Sequence, residues 1–179
     1  MDIKSISLAT IFASLYASLV IFLAPISFGP IQLRIADCLI PLASLFGWPV
    51  AAGVTVGCFI GNAYYWMGAY DVIFGPLANL VAASVILLLG KRRLLGCVFG
   101  ALTIGVIVGG YLWMFFPQSD FFGYVLPPWM AMMLSITVSS LITICGIGYS
   151  LLNVLTRTKI VQSLKSRGLR LSSQDTHLP

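Results

Sequence analysis

Long, continuous apolar runs fill this chain, broken only by glycines, prolines and short charged clusters. Ten-residue strands of alternating character, the mark of a membrane barrel, are absent. At about 20 residues per crossing, the pattern predicts about six membrane-spanning helices with short connections. Helices are the expected form because they satisfy every backbone group within the segment.

The first helix is expected from about Ser5 to Ala24, ending before Pro25. Ala9, Ala13 and Ala17 recur every four residues along it, beside Ser14 and Ser18, a face that lets another backbone approach closely. Residues 25–33 form an apolar loop that should fold back into the protein. The second helix, about Arg34 to Phe46, is short: its length of roughly 20 Å falls below the roughly 30 Å of hydrocarbon. It either starts below the membrane surface or is re-entrant. After a turn at Gly47-Trp48-Pro49, a third helix runs to about Met67, with Gly53, Gly57 and Gly61 at four-residue spacing. Asn62, Tyr64, Tyr65 and Trp66 cluster at its far end, with Trp66 expected in the interfacial belt. Asp71 is a plausible N-cap for a fourth helix that ends near Gly90 and contains Gly75, Pro76 and Asn79. Pro76 invites a kink. A fifth helix is expected from about Leu94 to Phe116, a connection from Pro117 to Leu126, and a sixth helix from Pro128 to about Leu155.

Composition agrees. The 179 residues are 59% hydrophobic and 8% charged, against about a quarter charged in an average soluble domain. Mean hydropathy is +1.01. The fold class is therefore an all-α integral membrane protein, about six transmembrane helices with a short second helix. One domain is expected over residues 1–156, followed by a basic cytoplasmic tail over 157–179 whose last ten residues are disordered. The apolar run after Lys4 is longer than the core of a signal peptide, so the first helix is read as uncleaved.

Net charge is +5, and its distribution matters more than its size. Lys91-Arg92-Arg93 forms one cluster, while Arg157, Lys159, Lys165, Arg167 and Arg170 lie in the tail. Two crossings separate the clusters, so both sit on one side, which the positive-inside rule makes cytoplasmic. Four more crossings put the N-terminus on the same side. The expected setting is the cell membrane, multi-pass, with the lipid bilayer as partner, both termini cytoplasmic and no nucleic-acid role. Arg34, Asp37, Asn62 and Asp71 then converge on the outer half.

Arg34 and Asp37 are the chain's oddest feature. There are five acidic residues, all Asp, yet one lies three positions from an arginine in apolar surroundings. Each such charge costs roughly 2.5–3.5 kcal/mol on insertion scales unless it pairs or reaches water. An arginine offers a planar fork of donors, an aspartate accepts N–H groups, and an asparagine does both. The set matches a small planar heterocycle with donors on one edge and acceptors on another, stacked on aromatics such as Phe28, Tyr64 and Trp66. A plain structural ion pair is equally compatible with these residues. Cys38, Cys58, Cys97 and Cys145 lie in apolar stretches without a Cys-x-x-Cys pair, and His177 stands alone, so they read as small buried hydrophobes. No metal, cofactor or catalytic residue is expected, and the chain is not read as an enzyme.

Three segments carry a family resemblance. Gln32-Leu-Arg-Ile-Ala-Asp-Cys-Leu resembles the Gln-x-Arg-x-Ser-Glu-Ala-Leu stretch of QueT-type membrane proteins. Gly57-Cys-Phe-Ile-Gly-Asn62 and Asp71-Val-Ile-Phe-Gly-Pro-Leu-Ala-Asn79 resemble the next two segments of that family. The resemblance implies the substrate-binding S component of an energy-coupling factor (ECF) transporter, taking up queuosine precursors of the deazaguanine type. It implies as partners a transmembrane T component and two ATPases, in agreement with the lack of a P-loop here. It places Arg34, Asp37, Gln32, Asn62, Asp71 and Asn79 around the substrate, with Asp37 on the N–H edge of the base. It also makes Ala9, Ala13 and Ala17 a partner interface. Where the family has Ser-Glu, this chain has Ala36-Asp37, which keeps the carboxylate but shortens its reach by one methylene. The rival expectations are an S component for another vitamin or nucleobase, and a scaffold whose Arg34–Asp37 pair is structural.

Overall fold

The structure is a computed structural model that describes residues 2–28, 33–116, 120–121 and 124–157. Gln32 and the tail beyond Arg157 lie outside the described residues. The elements in order are α1 (Ile3–Phe22), a single turn α2 (Ala24–Ser27), a 3₁₀ helix (Ile35–Leu42) continued by α3 (Ala43–Phe46), α4 (Trp48–Tyr65), α5 (Ala69–Leu88) and α6 (Arg93–Leu112). A minimal hairpin, β1 (Asp120–Phe121) with β2 (Tyr124–Val125), precedes one long helix. That helix comprises α7 (Pro128–Ser140), a π-helical stretch (Leu141–Gly148) and α8 (Tyr149–Arg157).

The protein is an all-α membrane protein. By length and composition, α1, α5, α6 and the continuous helix Pro128–Arg157 are long and apolar enough to cross a bilayer. The 18-residue α4 packs mainly on α1 and α5. The shorter segment Ile35–Phe46 is encased by the others, every residue from Ala36 to Phe46 being buried. Large apolar side chains such as Ile11, Phe22, Phe59, Ile73, Val106 and Ile142 face outward. That arrangement suits hydrocarbon and would aggregate in water.

Several boundaries differ from expectation for identifiable reasons. Asp2 caps α1, its carboxylate accepting from the Ser5 N–H at 2.9 Å, so the helix begins at Ile3. Asp71 is not an N-cap: α5 opens at Ala69 after Gly68, and Asp71 lies buried in the first turn. The second helix is 3₁₀ over most of its length, and Pro41 within it removes one amide donor. The turn before α4 rests on Gly47 at φ 78°, a left-handed conformation that favours glycine. The π-helical stretch in the last helix has no warning in the apolar pattern.

Glycines set how closely the elements approach. A Cβ on Gly53 would lie 2.6 Å from the Ala9 carbonyl oxygen, and one on Gly57 would lie 2.6 Å from that of Ala13. Helices α1 and α4 therefore meet backbone to backbone, as small-residue stripes allow. Gly148 does the same for the π-helical stretch, where a Cβ would come within 2.7 Å of the Cys38 carbonyl oxygen in the 3₁₀ helix.

Candidate functional site

The buried 3₁₀ helix holds Asp37 at the centre of the bundle, with Arg34 at its N-terminal boundary. The Asp37 N–H donates to the Arg34 carbonyl at 3.0 Å, the first turn of that helix. Their side chains diverge. Asp37 Oδ1 accepts from the Tyr16 hydroxyl of α1 at 2.5 Å, and Asn79 Nδ2 of α5 donates to the Tyr16 oxygen at 2.8 Å. The Arg34 guanidinium donates from Nη1 to Cys58 Sγ of α4 at 3.5 Å and lies over the Phe28 ring, 5.3 Å from its centroid. Among the described residues Arg34 and Asp37 form no ion pair. The direct pair assumed by the scaffold reading is thus missing.

A second knot adjoins the first. Asn62 Nδ2, one turn beyond Cys58 on α4, donates to the Asp71 backbone carbonyl at 2.9 Å. The Tyr111 hydroxyl of α6 donates to Asp71 Oδ1 at 2.8 Å. Gly75 makes room, since a Cβ there would meet the Asn62 amide and approach Cys58 Sγ to 3.6 Å. Asp71, Gly75 and Asn79 recur every four residues, so one face of α5 joins both knots.

Of the expected site residues, Arg34, Asp37, Asn62, Asp71 and Asn79 are all buried and belong to this connected polar core. Gln32 falls outside the described residues. Phe28 is buried and stacks on Tyr65, with centroids 4.3 Å apart and planes at 4°. Tyr64 and Trp66 are exposed. Sequence reasoning missed Tyr16, Tyr111 and the role of Cys58, because a phenol or thiol in an apolar run reads as hydrophobic. Tyr16 sits between Ala13 and Ala17, where the stripe signalled close packing but not a hydrogen bond. Cys58 is an acceptor for Arg34 as well as a small hydrophobe.

The cluster carries unspent hydrogen-bonding capacity. Among the described residues, Arg34 Nη2, Asn62 Oδ1, Asp71 Oδ2 and, on α2, Ser27 Oγ are buried without a partner. Such atoms cost about 1–3 kcal/mol each, so the set is expensive to keep for packing alone. Arg34, Asp37, Asn79 and Ser140 line a cavity of about 10 Å³ with Ile104, Val108 and Ile136. That is room for about one water molecule, well below a heterocyclic base.

On α1, Ala13 and Ala17 are buried and Ala9 is half-buried. Ala9 and Ala13 border an open groove of about 280 Å³ with Thr10, Ser14, Ala52, Gly53, Val56 and Ile60. The four cysteines are free, Cys145 being half-buried and the others buried.

Residues 6–157 match the family described as QueT transporter. The chain belongs to the QueT transporter family. A curated member, the queuosine precursor transporter QueT of Lactococcus lactis subsp. cremoris (strain MG1363), is 37% identical over 95 residues. That alignment spans 51% of this chain and 52% of the relative, about half the length of each. No solved structure matches. The QueT family match runs from the first turns of α1 to the end of α8, so both polar knots lie within it.

Proposed function

We propose that this chain is the substrate-capturing S component of an ECF-type uptake transporter, and that its substrate is a deazaguanine queuosine precursor. The observation that carries this reading is the enclosed Asp37–Tyr16–Asn79 and Arg34–Cys58 cluster around a cavity at the centre of an apolar bundle. Asp37 accepts from the N–H edge of the base. Arg34, with Gln32, orients the ring or contacts its carbonyl, and Asn62, Asp71 and Asn79 complete the polar wall. Family membership and the name of the Lactococcus relative support the choice of ligand.

The groove bordered by Ala9 and Ala13 is the proposed docking face for a transmembrane T component, with Ala17 supporting it from within. Two ATPase subunits would supply the energy. Both termini, the Lys91-Arg92-Arg93 turn and the basic tail are assigned to the cytoplasm by the positive-inside rule. Mass spectrometry of ligand carried through purification tests the substrate. A deazaguanine supports the reading, and a different vitamin or base transfers the same architecture to another substrate.

A further inference from the structure

We propose that Tyr16 is a specificity-determining residue of this pocket, fixing which atoms of Asp37 and Asn79 face the ligand. The inference rests on the reading that the cavity receives a planar base. Tyr16 is fully buried and has one proton to give. Two acceptors compete for it, the Asp37 carboxylate and the Asn79 amide oxygen, and the charged acceptor is the stronger. The proton goes to Asp37 Oδ1, at 2.5 Å. The Tyr16 oxygen is then left as an acceptor, so Asn79 must turn its NH₂ toward it, at 2.8 Å.

That relay has a consequence at the cavity. With Asp37 Oδ1 and Asn79 Nδ2 engaged, Asp37 Oδ2 and Asn79 Oδ1 make no hydrogen bond among the described residues. Both residues line the cavity, so the wall presents two acceptors. Two acceptors on one cavity wall select a ligand edge with at least two N–H donors and discriminate against one that lacks them. Remove the phenol oxygen, and nothing holds the Asn79 amide: it is free to flip and satisfy Asp37 with its own NH₂. The second acceptor is lost and the preference goes with it.

The test compares 7-deazaguanine with 7-deazahypoxanthine, which has the same ring without the exocyclic amine, by calorimetry on purified protein in nanodiscs. Wild type is expected to prefer 7-deazaguanine by about tenfold or more. Tyr16→Phe is expected to bring the two affinities within about threefold, chiefly by weakening the amine-bearing ligand. A purely structural tyrosine would weaken both ligands equally, and that result, or an unchanged ratio, overturns the proposal. Wild type that binds neither probe overturns the deazaguanine reading itself and the Tyr16 role with it. If Tyr16→Phe does not fold, Asn79→Ala removes the same acceptor from the other side. Loss of preference in that variant supports the relay, and a retained preference overturns it.

Discussion

At the scale of single residues, Asp37 and Asp71 do different work. Asp37 lines the cavity, so on the proposed function Asp37→Ala should weaken binding of a deazaguanine by about 10- to 100-fold in calorimetry, as expected for losing hydrogen bonds to a charged group. Asp71 is held from behind by Tyr111 and already has one unpartnered oxygen. Tyr111→Phe leaves the whole carboxylate without a side-chain donor. A loss of about 1–3 kcal/mol is expected, read as a lower thermal unfolding midpoint. The identities of these acidic and amide residues were legible in the sequence, because charge in an apolar run is conspicuous. Their hydrogen-bond partners were not, since Tyr16 and Tyr111 carry one polar atom on a large apolar body. The structural Arg34–Asp37 ion pair, one of two readings the sequence left open, is not formed among the described residues. A three-residue spacing brings side chains to one face, but it does not decide between each other and better partners such as Tyr16 and Cys58.

At the scale of elements, glycine spacing was the most reliable sign. The stripe Gly53, Gly57, Gly61 marks the face on which α4 meets α1, as the close approaches to Ala9, Ala13 and Val20 establish. Gly57→Ala places a methyl group against the Ala13 backbone and should destabilise the protein by about 1–3 kcal/mol. Gly110→Ala meets nothing within 4 Å and should be neutral or stabilising by up to about 1 kcal/mol, which makes it the matched control. Thermal unfolding of the two variants side by side checks both. The number and order of long helices followed from hydropathy, but helix type did not. The 3₁₀ character of Ile35–Leu42 and the π-helical Leu141–Gly148 arise where the two are pressed together through Gly148, a tertiary demand that local sequence does not encode.

At the scale of the whole molecule, an exterior as apolar as the core surrounds two small buried polar knots, unlike the polar surface of a soluble domain. The basic turn at Lys91-Arg92-Arg93 fixes orientation in the proposed topology. Lys91→Cys is exposed in the structure and should react with an impermeant maleimide only after cells are permeabilised. Labelling of intact cells would reverse the assignment.

The small volume at the centre also bears on kinetics. On the proposed reading, a base-sized ligand needs this cavity to widen, and if the widened state is a minority population the apparent affinity is the intrinsic one reduced by that fraction. If opening precedes binding, the observed association rate should level off as ligand concentration rises, at the rate of opening itself. Stopped-flow fluorescence over rising concentrations measures that plateau, and a rate that climbs linearly throughout would mean that the opening step is never limiting. A substitution that loosens the bundle would then raise both the plateau and the affinity without touching one ligand contact.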